Sequence, residues 1–132
     1  MNKLYIVLIL MMSVLAACSS DETATPEKLE TVPAEFAGQK NPYGPEVASQ
    51  GAEVFEVYCA SCHGETGHGD GPAGASLVPA PKDLVELQSK LEDDYLFWRI
   101  SDGKNGTAMV AWKGILTDEQ IWQAIVFIRT LQ

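Results

Sequence analysis

The sequence predicts an all-α domain of three main helices and long loops, assembled around a group that the polypeptide does not itself supply. Three stretches repeat their apolar residues at helical spacing, none alternates as a half-buried strand does, and glycine and proline crowd the segments between them. A chain of 132 residues has room for one domain. Three short helices enclose too little apolar surface for a domain of about 90 residues, so a metal, disulfide or cofactor is expected at its centre.

The first element in chain order is a targeting segment, assigned to residues 1–17. Lys3 is followed by an almost unbroken apolar run, Leu4 to Met12, the layout of a secretory signal. The run is shorter than the roughly 20 apolar residues that a spanning helix needs. Leu15-Ala16-Ala17-Cys18 follows at once and resembles the lipobox of bacterial lipoproteins. That resemblance implies cleavage before Cys18, lipid on its sulfur, and an extracytoplasmic protein held to a membrane, in the periplasm or on the outer face of the cytoplasmic membrane. Residues 18–44 read as the lipidated cysteine and a disordered tether, because Pro26, Pro33 and Pro42 interrupt any helix and few large apolar residues are present. As a flexible coil, the 26 residues from Ser19 to Gly44 would span roughly 25–30 Å.

The folded domain is assigned to residues 45–132. Pro45 suits a first helical turn, and Val47, Gly51, Val54, Phe55 and Tyr58 then share one face of a helix that runs into Cys59. A second helix is expected from Asp93 to Asp102, with acids at its start and Gly103 placed to end it. The third starts at Thr117, where Thr117-Asp118-Glu119-Gln120 has the spacing of a capping box, and presents Ile121, Ala124, Ile125, Ile128 and Leu131, widened by Trp122 and Phe127. The rest is loop: five glycines lie between Gly64 and Gly74, and Pro72, Pro79 and Pro81 break any regular pattern.

Cys59-Ala60-Ser61-Cys62-His63 carries the chemistry. C-x-x-C-H is the attachment pattern of c-type haem: two thiols at this spacing reach the two vinyl groups of one haem, and the adjacent histidine can offer its imidazole to the iron. A redox dithiol would sit on a parallel strand and helix unit, which the sequence lacks. A zinc site would need ligands beyond Cys59, Cys62, His63 and His68, all within ten residues. With Cys18 lipidated, the odd count of three cysteines is accounted for.

From Pro45 to Gln132 the chain resembles the small monohaem cytochrome c family. Beyond the haem motif, Gly51 and Phe55 precede it as that family's first helix does, Gly106-Thr107-Ala108-Met109 resembles its axial methionine loop, and Ile121 to Leu131 resembles its last helix, with Phe127 at an aromatic position. The resemblance implies a cytochrome c fold around one covalent haem c bound by Cys59 and Cys62. Ligand supply names the sixth ligand independently. Met1, Met11 and Met12 lie in the signal, so Met109 is the one methionine left to join His63 as an axial iron ligand. His68, in a loop five residues after His63, is read as exposed. In the family a backbone carbonyl from a downstream proline steadies the axial histidine, which here means Pro79 or Pro81; Trp98 and Trp112 are either propionate donors or core residues. Val110 stands where many relatives have proline after the methionine.

A haem with both axial positions filled by protein is left to exchange electrons. The sequence therefore reads as a membrane-tethered one-electron carrier and not an enzyme. Two alternatives stand beside this: a fixed cytochrome subunit of a larger respiratory or photosynthetic complex, and a haem sensor or peroxidase with a displaceable Met109. Without Lys3, which falls in the segment to be removed, 8 basic residues face 18 acidic ones, a net charge of −10. Nucleic acid is excluded as a partner by repulsion acting over about 8 Å at physiological salt. The expected partners are redox proteins with a basic docking face, together with the membrane, and no small-molecule substrate is expected.

Overall fold

The computed structural model describes residues 29–132, of which Thr31–Gln132 form one compact unit. The signal, Cys18 and residues 19–28 of the expected tether lie outside the described residues. Among the described residues five α-helices follow one another: α1 (Ala48–Tyr58), α2 (Ala60–His63), α3 (Leu84–Leu87), α4 (Asp93–Asp102) and α5 (Asp118–Ile128), with short 3-10 turns at Pro45–Val47 and Gly74–Ser76. Among the described residues the extended structure amounts to a single bridge between Lys113 and Leu116. The fold is all-α, with α1, α4 and α5 as its main helices. The sequence did not mark α2 and α3, which are four residues each, too short to show a period.

The helix ends form as their residues dictate. Thr117 Oγ1 accepts from Gln120 N and the Gln120 side chain accepts in turn from Thr117 N, the reciprocal pair expected of a capping box. Gly103, at φ 70°, ends α4 where a side chain would be strained.

The closest packing is between α1 and α5, where Phe55 and Phe127 meet at 5.1 Å between ring centroids. Gly51 lets the helices approach. A Cβ at that position would run into the Gln123 carbonyl group and come within 2.9 Å of Phe127 Cβ, so the obstacle is backbone as well as ring. Ile121 and Ile125 are fully buried beneath this crossing, and Leu96, Phe97, Trp98 and Ile100 of α4 complete the core.

The folded unit begins earlier than the sequence reading placed it. Residues 31–44, assigned to the tether, are a strap packed on the domain. Phe36 is only 6% exposed and its ring lies 6.2 Å from that of Phe97, which stacks in turn on Trp122 at 4.1 Å. Polar contacts hold the rest: Gly38 N donates to Asp94 (2.7 Å), Asn41 Nδ2 to the Trp122 carbonyl (2.9 Å), and Asn41 N to Asp93 (3.3 Å). A lone phenylalanine among prolines and polar residues gave no periodic signal, so its burial was invisible to pattern.

Replacing Gly51 by leucine should therefore destabilise the protein by about 1–3 kcal/mol through overpacking. Denaturant unfolding of the haem-loaded protein checks this; a midpoint equal to wild type would mean that the two helices do not depend on their close approach.

Candidate functional site

The motif Cys59 to His63 is an extension of α1. Cys59 N donates to the Phe55 carbonyl at the end of α1, and His63 N donates back to the Cys59 carbonyl (2.9 Å), winding Ala60–His63 into α2. So short a helix leaves its carbonyls without partners of its own. The glycine-rich loop supplies them: Ala73 N donates to the Ser61 carbonyl (2.8 Å) and Gly71 N to the Cys62 carbonyl (3.2 Å). Gly71 lies flat on the motif, where a Cβ would come 2.5 Å from the Ser61 oxygen.

His63 Nδ1 lies 3.2 Å from the Lys82 carbonyl oxygen. A carbonyl can only accept, so Nδ1 carries the proton and Nε2 keeps its lone pair for a metal. The supporting carbonyl belongs to Lys82 and not, as family resemblance suggested, to Pro79 or Pro81. The Pro81 carbonyl faces Gly69, where a Cβ would sit 2.6 Å from its oxygen, and the next carbonyl along the chain reaches the histidine. Burial pushes the His63 pKa down and so favours the neutral ring, and the Lys82 bond opposes it only in part.

Cys59 and Cys62 are free thiols, both half-buried. Burial, and then the neighbouring Cys62, pushes the Cys59 thiol up to about 12. It is a protonated thiol at neutral pH, unlike the low-pKa thiolate of a redox dithiol.

Met109 closes a loop tied to itself and to α4. Its N–H donates to Thr107 Oγ1 (3.1 Å), its carbonyl accepts from Lys104 N (2.9 Å), and three residues later Trp112 N donates to the Ile100 carbonyl (3.1 Å). The side chain is half-buried against the core, as are those of Tyr58, Cys59, Leu84, Val85 and Trp112. Val110 and Ile115 stand exposed, and Val78 is 94% exposed. Apolar side chains left incompletely covered, two free thiols and an imidazole oriented on one nitrogen fit a large apolar group bearing a metal.

A family model described as cytochrome c oxidase, cbb3-type, subunit III, matches residues 46–128. The chain belongs to this family of c-type cytochromes. A cbb3-type cytochrome c oxidase subunit FixPc of Rhizobium leguminosarum bv. viciae is 32% identical over 111 residues, covering 83% of this chain and 37% of that relative. Cytochrome c6 of Synechococcus elongatus is 32% identical over 80 residues, 61% of this chain and 85% of the relative. The chain thus spans little more than a third of the oxidase subunit but most of the small cytochrome. A chain in the Kuenenia stuttgartiensis reducing HAO-like protein complex shares the fold, with a TM-score of 0.58 at 24% identity, over 84% of this chain and 53% of that one. The cofactor of this cytochrome is one covalent haem c, for which Cys59 to His63 has the C-x-x-C-H arrangement.

The two tryptophans differ in their surroundings. Trp98 is buried, edge-on to Tyr95, with the Arg99 guanidinium 4.0 Å over its ring; Trp112 is half-buried and edge-on to Tyr58. His68 is exposed, as expected, but it is not idle. Its Nδ1 lies 3.0 Å from Asp83 Oδ2, while Asp83 Oδ1 caps α3 by accepting from Glu86 N (3.1 Å). The spacing of Asp83 and Glu86 was the signal that could have revealed this helix start.

The Asp83 hydrogen bond raises the His68 pKa, helped by the charges of Asp83 and Asp70, and the His68 bond lowers that of Asp83. The pair's contribution is complete below the ordinary histidine pKa and disappears as pH rises through the raised one. At the acid end it is lost as pH falls through the lowered Asp83 value. An NMR titration of His68 in the native protein should give a midpoint above that of a free histidine, returning toward it in Asp83→Asn; equal midpoints in the two proteins would mean that the pair does not form in solution.

Proposed function

We propose that this cytochrome is a membrane-tethered one-electron carrier in which Cys59 and Cys62 bind the haem through thioethers, His63 and Met109 are the axial iron ligands, and Cys18 bears the lipid. The observation that carries the reading is the pairing of His63 Nδ1 with the Lys82 carbonyl, which leaves Nε2 as the coordinating nitrogen. When bound, a haem of this type supplies reversible one-electron exchange at iron. The protein's part is to hold position: α2 is braced by the Gly71 loop, and the Met109 backbone is bonded on both sides. A ligand loop so tied supports a fixed thioether over one that yields to an incoming molecule. With both axial positions taken, no substrate site at the iron is needed, in keeping with a carrier that is not itself an enzyme.

The similarity to FixPc favours a second reading, in which the chain is a fixed cytochrome subunit of a larger oxidase. Gentle solubilisation of native membranes separates the two, since a fixed subunit copurifies with its complex. Localisation follows the lipobox reading: extracytoplasmic, held by lipid at Cys18. Among the described residues no helix is long and apolar enough to cross a membrane. Because Thr31 already belongs to the folded unit, 12 residues separate it from Cys18, a reach of at most about 40 Å.

Docking is the second half of the proposal. Residues 31–132 hold 14 acidic and 7 basic side chains. Asp93 and Asp94 are engaged by the strap, Asp93 also pairs with Arg129 at 2.7 Å, and Glu92 pairs with Lys40. Glu56, Glu65 and Asp70 instead line a shallow hollow with Ala60 and Ser61 of the motif, where a partner rich in Lys and Arg would approach the haem attachment segment.

Met109→Ala should keep covalent haem but abolish the weak near-infrared sulfur-to-iron band of the oxidised protein and lower the potential; an unchanged band would sink the axial assignment. The electron-transfer rate to the native partner should fall steeply as ionic strength rises from about 10 to 100 mM and the Debye length shrinks from about 30 to 10 Å. A flat rate, measured by stopped flow, would point to apolar docking instead.

A further inference from the structure

His68 and Asp83 lie where two loops interlock beside His63. Leu84 N donates to the Gly67 carbonyl (2.7 Å) and Gly69 N to the His63 carbonyl (2.8 Å), so residues 67–69 are bonded both to the motif and to the segment entering α3. That segment carries the Lys82 carbonyl. The carbonyl shares its peptide unit with Asp83 N, and the Asp83 side chain is fixed at both oxygens, by Glu86 N and by the His68 ring. Rotating the peptide that supports His63 therefore means disturbing Asp83.

We propose that His68 and Asp83 are positioning residues for His63, an ion pair that clamps the Lys82 carbonyl onto Nδ1 and thereby sets the donor strength of the axial imidazole. This rests on His63 being an iron ligand, as proposed above. A firmly accepted Nδ1 proton makes the imidazole more basic and favours the ferric state; a loosened one favours the ferrous state and raises the potential. The pair is exposed, with 45% and 31% of its side-chain surfaces open, so its energy is small and its effect graded. Asp70 is the other carboxylate whose charge acts on His68.

The sign of the effect identifies the mechanism. At pH 6 a protonated His68 is a cation, and removing a cation that acts only through space relieves repulsion on the more positive ferric state, lowering the potential. Loss of the clamp raises it. The test uses the haem-loaded protein with His68→Ala and, as a second variant, Asp83→Asn, which keeps an acceptor able to cap α3. Two quantities are read at pH 6: the midpoint potential, and the solvent exchange of the His63 Nδ1 proton in the ferrous protein by NMR. The clamp predicts a raised potential in His68→Ala and exchange faster by about two- to fivefold in both variants, the range of an exposed ion pair. Asp70→Asn, which leaves Asp83 untouched, should not alter the exchange. A lowered or unchanged potential in His68→Ala, or unchanged exchange in both variants, overturns the proposal. The ring protons of His63 give the separate check on ligation. If the haem ring current does not displace them in the ferrous wild type, the axial assignment itself is wrong and the clamp falls with it; displaced protons with unaltered exchange refute the clamp alone.

Discussion

The close crossing of α1 and α5 at Gly51 fixes the frame on which the other parts are hung. Because the glycine admits the Gln123 carbonyl and the Phe127 side chain, these two 11-residue helices share one buried seam. α1 leads without interruption into Cys59, so the direction of the seam is also the direction in which the haem motif is delivered. Dispersion and burial in such a seam respond to fractions of an ångström, which makes one absent methyl group a determinant of where the cofactor residues stand.

Around that frame the site is held by backbone more than by side chains. The carbonyls of α2 are met by amides of the glycine-rich loop, His63 is aligned by the carbonyl of Lys82, and Met109 is set by bonds to Thr107 and Lys104. Side chains can vary at many of these positions without loss of the bond. What must persist is the path of the chain, and the glycines enforce the path.

This division explains what could be read from the sequence. Thr117 through Gln120, Asp93 to Asp102 and the apolar face of α1 declared themselves because capping and helical periodicity are local, written within a few consecutive residues. The C-x-x-C-H motif was equally local, and it brought the cofactor and fold with it. Phe36 was not legible, since its burial depends on Phe97 some sixty residues away and not on its neighbours. Lys82 was not legible for a related reason: its side chain is irrelevant, and no residue type advertises a carbonyl. Family resemblance pointed to a proline there, but the Pro81 carbonyl faces Gly69 and the role falls one residue onward.

The strap from Thr31 to Gly44 changes how a membrane anchor would act. A domain on a long leash samples a large volume dilutely; one whose chain is stitched down at Phe36 and Asn41 is confined close to its point of attachment. With the anchor proposed at Cys18, the effective concentration seen by a partner within reach is of order millimolar, and it drops to nearly nothing just beyond. Selection of partners would then be made partly by height above the bilayer, and weak docking suffices for those that stand at the right level.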